Sequence, residues 1–115
     1  MVKREVIEIL TKFQKALEEK GIQVTKIILY GSQGTGKFHR DSYIDVTVVS
    51  PDFGKARFEE GVRLFQIACK INPRIEPLPI CLDSYEKDTW IPLIYEIREN
   101  GVELENLEVD EFMSL

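Results

Sequence analysis

Lys26-Ile-Ile-Leu-Tyr30-Gly31-Ser32-Gln-Gly-Thr-Gly36-Lys37-Phe38-His39-Arg40-Asp41-Ser42-Tyr43-Ile44-Asp45-Val-Thr-Val-Val-Ser50 is the stretch whose reading decides the fold. A short apolar run ends in Gly31-Ser32, a polar, glycine-rich loop follows, and a second apolar run opens with Tyr43-Ile44-Asp45. The β-branched and apolar residues 24–30 and 43–49 predict two strands. Between them lies a loop whose glycines let backbone N–H groups approach a phosphate closely. Alternate residues of a strand share a face, so positions 43 and 45 aim at one place.

Working outward, Val2, Val6, Ile9, Leu10, Phe13 and Leu17 recur at helical spacing, and Gly21 stops that helix. Beyond the second strand, Ser50-Pro51-Asp52-Phe53-Gly54 reads as a turn. Phe58, Val62, Phe65, Ala68 and Cys69 mark a second helix that ends near Asn72-Pro73. Residues 74–80 predict a third strand, placed at a sheet edge because Pro77 and Pro79 cannot donate to a ladder. Residues 84–88 read as a turn or short helix, and residues 90–99 as a last helix stopped by Asn100-Gly101. The order α-β-loop-β-α-β-α predicts a small α/β (α+β) domain with few strands and helices stacked on the sheet. The spacing makes Phe58, Phe65, Trp90 and Tyr95 core candidates. Residues 1–104 form the expected domain and residues 105–115 an acidic tail; the acidic run from Glu103 onward docks as a short strand or meets a partner.

Composition narrows the function. A chain of 115 residues suits one small core. A net charge of −5 argues against general nucleic-acid binding, since no excess of Lys and Arg displaces counterions from phosphates. No apolar run is long enough to span a bilayer, and the charged N-terminus lacks a signal-peptide core, so a cytoplasmic location is expected. Cys69 and Cys81 match no zinc spacing and are expected as free, partly buried thiols. His39 is the single histidine, which leaves little room for His-based metal sites or triads.

Two phosphate motifs compete for the loop. Gly31-Ser-Gln-Gly-Thr-Gly36-Lys37 fits the G-x-x-x-x-G-K core of a P-loop, whose Lys reaches the terminal phosphates. Phe38 stands where that motif needs Ser or Thr for magnesium, and the second strand follows too soon for the helix a P-loop opens. This is the weaker alternative.

The second motif fits better. Gly31-Ser32, ten residues, then Tyr43-Ile44-Asp45 resembles the signature of the polymerase-β-like nucleotidyltransferase superfamily, in which G-S precedes a strand bearing D-x-D and a later strand supplies a third carboxylate. Glu76, in Arg74-Ile75-Glu76-Pro77, holds the place of that third carboxylate. The run from Trp90 to Val102 resembles the closing helix of the small prokaryotic members, and the resemblance covers about residues 5–104. It implies magnesium-dependent transfer of a nucleoside monophosphate from a nucleoside triphosphate to a hydroxyl. Gly31, Ser32 and Lys37 would hold phosphates. Asp45 and Glu76 would be catalytic and hold Mg2+, with Asp41 a further possible ligand. It also implies a separate helical (HEPN-like) partner protein, of the kind found in toxin–antitoxin operons, or a homodimer.

The departure is Tyr43, where the family has Asp. A neutral phenol is a poor magnesium ligand. The expected activity is therefore weakened, and the alternative is a catalytically degenerate module that binds nucleotide or serves a regulatory, antitoxin-like role. Asp45 carries weight on physical grounds too: a carboxylate between Ile44 and Val46 is costly to bury without a partner or a cation.

Overall fold

The computed structural model describes residues 4–31 and 43–107. In chain order the elements are α1 (Arg4–Glu19), β1 (Lys26–Leu29), β2 (Ile44–Ser50), α2 (Arg57–Ile71), β3 (Ile75–Cys81), α3 (Leu82–Lys87), α4 (Pro92–Asn100) and β4 (Val102–Glu103), followed by a 3-10 turn at Leu104–Asn106. The strands form one mixed sheet in the order β3-β2-β1-β4. β1 is antiparallel to both β2 and β4, whereas β2 and β3 run parallel. No helix among the described residues is long and apolar enough to cross a membrane.

Strand alternation builds two cores. Ile27 and Leu29 of β1, Ile44, Val46 and Val48 of β2 and Ile75 of β3 face the larger one. There they meet Val6, Leu10, Phe13 and Leu17 of α1 and Leu64, Ile67 and Ala68 of α2. Each fully buried aliphatic or aromatic side chain there contributes roughly 1.5–3 kcal/mol. Ile28, Val49 and Ile80 point the other way and pack on Tyr85 of α3 and on Ile94 and Ile97 of α4. The two long helices thus share one face, and the two short ones cover part of the other. Thr47 is fully buried and satisfies its hydroxyl by donating to the Leu78 carbonyl across the β2–β3 pair (3.0 Å).

β3 is an edge strand, as Pro77 and Pro79 predict. β4 is the element the sequence reading left open. It pairs Val102 with Leu29 and Glu103 with Ile28, and an ion pair from Lys26 to Glu103 ties it to β1. Gly101 makes the approach possible: a methyl group there would stand 2.5 Å from Ile28 Cγ2.

The expectation that Phe58, Phe65, Trp90 and Tyr95 belong to the core is corrected. All four are exposed. Helical spacing shows which residues share a face, not whether anything covers that face. On α2 the covered residues are Leu64, Ile67 and Ala68, and Phe58, Val62 and Phe65 form a second, open stripe. Cys69 and Cys81 are free, partly buried thiols.

Candidate active site

Asp45 and Glu76 are register partners on the parallel strands β2 and β3. Because Ile44 and Val46 enter the large core, Asp45 between them faces the opposite side, the side of the shorter helices. Neighbouring strands lie about 4.8 Å apart, so the two carboxyl groups share one patch at the end of the sheet. Asp45 is partly buried and Glu76 is exposed.

β1 brings its own end to the same place. The Tyr30 N–H donates to the Asp45 carbonyl (3.0 Å), which extends the β1–β2 pairing by one residue. Gly31 then turns away with φ +73°, a left-handed conformation that favours glycine. A Cβ on Gly31 would lie 2.8 Å from Asp45 Oδ2. The missing side chain lets the carboxylate and the backbone of the turn lie in contact.

The electrostatics follow from this crowding. The carboxyl of Asp45 is pushed up to about 6, first by burial, then by its hydrogen bond with Glu76 and by the charge of Glu76. The Tyr30 phenol is raised above its ordinary value by burial and by the charges of Asp45 and Glu76, so it stays protonated as a potential donor. Two crowded carboxylates are a poor arrangement for stability and a good one for a hard divalent cation, which relieves their repulsion. Among the described residues no set of three His, Cys, Asp or Glu side chains comes together as a metal cluster. The pair is thus a two-carboxylate donor set, the kind that holds magnesium together with water and substrate phosphates.

Of the residues singled out from sequence, Gly31, Asp45 and Glu76 come together. Ser32, Lys37 and Asp41 lie outside the described residues. Tyr43 precedes β2 and is 60% exposed, so it is a surface residue rather than a packed one. Tyr30 was missed. Its signal was available in its two-residue offset from Ile28 and its place just before Gly31, but a Tyr ending an apolar run reads first as core.

A family model for the nucleotidyltransferase domain matches residues 10–110. The chain belongs to the nucleotidyltransferase domain family. No curated protein sequence matches the domain significantly. Solved structures do. A candidate nucleotidyltransferase from Sulfolobus solfataricus superposes with a TM-score of 0.59 at 9% identity, over 86% of this chain and 78% of that one. A toxin-antitoxin structure with AMP-PNP superposes with a TM-score of 0.54 at 21% identity, over 90% of this chain and 77% of that one. At such identities the likeness is one of fold. The antiparallel pairing of β1 with β2 agrees with the nucleotidyltransferase domain rather than the P-loop layout, in which the strand leads into a helix. The mixed sheet with helices is the nucleotidyltransferase fold expected from the motif.

Proposed function

We propose that this nucleotidyltransferase domain binds a nucleoside triphosphate through a divalent ion, magnesium by choice of ligand chemistry, held by Asp45 and Glu76. It transfers the nucleoside monophosphate to a hydroxyl acceptor at a reduced rate. The observation that carries the reading is the register pairing of Asp45 with Glu76 beside the Gly31 turn. Magnesium bound there would neutralise charge building on the phosphoryl oxygens. In the step itself, the acceptor oxygen bonds to the α-phosphorus, the bond from that phosphorus to the β-phosphate bridge breaks, and pyrophosphate leaves. Glu76, the more exposed of the two, takes the proton from the acceptor hydroxyl. The Gly31 turn, with Ser32 and Lys37 following it in sequence, is the assigned phosphate cradle.

A specific feature favours a second reading. Tyr43 stands where the family motif has its first carboxylate. A cage short of one ligand suits a domain kept for nucleotide binding or for regulating another protein, in the manner of an antitoxin. The toxin-antitoxin neighbour supports a partner chain in either case, a helical HEPN-like protein or a second copy of this chain.

Calorimetry with magnesium and a non-hydrolysable nucleoside triphosphate tests the site. Binding that requires magnesium and is lost in both Asp45→Asn and Glu76→Gln supports it. Binding that survives both substitutions, or needs no divalent ion, overturns it. Release of pyrophosphate from a hydrolysable triphosphate separates the enzymatic from the regulatory reading.

A further inference from the structure

Tyr30, Asp45 and Glu76 form one row across three neighbouring strands. The Tyr30 N–H donates to the Asp45 carbonyl (3.0 Å), which continues the β1–β2 register to a Tyr30–Asp45 pair. Asp45 is in turn the register partner of Glu76. Directly opposite residues on one face have their Cβ atoms about 5 Å apart, so a phenol and two carboxyl groups share a strip about 10 Å wide.

Packing accounts for only half of Tyr30. Its ring is partly buried against the smaller core, on the same face as Ile28 two residues earlier. A Phe would make that contact equally well. The hydroxyl has no hydrogen-bond partner among the described residues, although the charges of Asp45 and Glu76 both act on it. Asp45 hydrogen-bonds to Glu76 instead. A phenol is protonated at neutral pH and carries an O–H to donate. A buried or half-buried tyrosine ordinarily finds an acceptor for it. Strand and packing fix the ring, so the hydroxyl is in place before a ligand arrives.

The order across the sheet points to the acceptor. Glu76 lies on the edge strand β3, the flank at which the incoming hydroxyl gives up its proton. Tyr30 lies on the other side of Asp45, and the chain passes from it directly into the Gly31 turn assigned to phosphates. A donor on that flank meets phosphate oxygens rather than the acceptor hydroxyl. A hydrogen bond to a charged oxygen is of the stronger kind. In a chain of net charge −5, with two carboxyl groups at the site, a triphosphate needs every donor the site can aim at it.

We propose that Tyr30 is a phosphate-binding residue of this site, its phenol hydroxyl donating to a phosphate oxygen of the bound nucleoside triphosphate. The inference deepens the nucleotide reading and rests on it.

Tyr30→Phe removes the O–H and keeps the ring. Calorimetry in magnesium, with a non-hydrolysable nucleoside triphosphate and separately with inorganic tripolyphosphate, reads the contact. The expected result is a loss of affinity of about tenfold or more for both, the size of one hydrogen bond to a charged group. Melting temperature and affinity for magnesium alone should match those of the unaltered domain. Unchanged affinity for both phosphate ligands overturns the proposal. A nucleotide loss unmatched by tripolyphosphate overturns it too, since the hydroxyl then meets sugar or base. So does an equal loss of affinity for magnesium alone, which would make Tyr30 act through Asp45. Asp45→Asn keeps the two readings apart. Binding retained there but weakened in Tyr30→Phe strikes the metal assignment and leaves the phenol contact standing. Binding lost there but intact in Tyr30→Phe strikes the phenol contact alone, and an unaltered domain that binds neither ligand overturns both.

Discussion

Gly31 and Asp45 touch across the β1–β2 pair, and the contact exists only because Gly31 has no side chain: a methyl group would fall 2.8 Å from Asp45 Oδ2. Backbone and carboxylate are both committed by this. The positive φ of Gly31 sets the turn, and the turn sets how far Asp45 can lean toward β1.

Gly31→Ala should therefore do two things. The left-handed backbone costs a residue with a Cβ roughly 1–2 kcal/mol, and urea denaturation should show a loss of that size. The displaced Asp45 carboxylate should weaken magnesium-dependent triphosphate binding at least tenfold, since sub-ångström placement decides how a hard cation is held. Unchanged binding alongside reduced stability would show that the Gly31–Asp45 contact is structural only.

The Asp45–Glu76 pair should make the metal-free domain less stable as pH rises. The folded state holds the Asp45 proton to about pH 6, against an ordinary carboxyl value of 3.8. The stabilising contribution of that proton is fully present below the unfolded value and is lost as pH rises through about 6. Melting temperatures in chelator should fall across that interval by more in the unaltered domain than in Asp45→Asn, which cannot ionise. Magnesium should restore the unaltered domain above pH 6, and its affinity should drop as pH falls below 6, because binding must displace the proton. Parallel melting curves for the two proteins would show that Asp45 is not under this strain.

Part of this candidate site is legible in the sequence because strand parity is a simple rule and the Gly31-Ser32 to Asp45 spacing is a motif. Ile44, Asp45 and Val46 alternate in polarity, which marks Asp45 as a carboxylate in need of a partner; Pro77 and Pro79 place β3 at an edge, and the family resemblance, not register, singles out Glu76. The register of the folded sheet sets Glu76 opposite Asp45. What stayed hidden depends on contacts between distant segments. β4 is two residues long and owes its place to the Gly101–Ile28 approach and the Lys26–Glu103 ion pair, neither visible in local pattern. Phe58 and Phe65 read as core because periodicity cannot tell a buried stripe from an exposed one. Tyr30 read as the end of a strand because its role comes from the charges of Asp45 and Glu76, which lie elsewhere in the chain.

Gly101→Ala tests how β4 is held. The Gly101 N–H donates to the Ile97 carbonyl (2.8 Å) as α4 ends, and Ile28 of β1 fills the space a side chain would need. Overlap with backbone on one side and a buried Ile on the other leaves little room to relax. A loss of about 1–3 kcal/mol is expected, the usual range for overpacking. Hydrogen exchange should locate the damage at Val102 and Glu103 and spare the β2–β3 pair. Protection lost equally through β2 and β3 would contradict a local role for Gly101.

Tyr43→Asp bears on whether the domain has lost part of its metal cage. Tyr43 is exposed, so the substitution should cost little stability. It sits two residues before Asp45 in the chain, at the spacing that puts alternate strand residues on one face. A carboxylate there would bring a third anionic oxygen group to Asp45 and Glu76, and divalent affinity rises with the number of such groups. Magnesium-dependent triphosphate binding should then tighten by an order of magnitude or more, and any pyrophosphate release should accelerate, because attacking and leaving oxygens are both better clamped. The raised proton affinity of Asp45 works against this in the absence of metal, since a third charge adds to the repulsion. The variant should accordingly be less stable than the unaltered domain in chelator at pH 8 and regain that stability in magnesium. Calorimetry and melting curves on the two proteins separate the cases. If the unaltered domain already binds tightly with magnesium and Tyr43→Asp gains nothing, Tyr43 does not mark a weakened cage, and the missing ligand comes from elsewhere in the assembly.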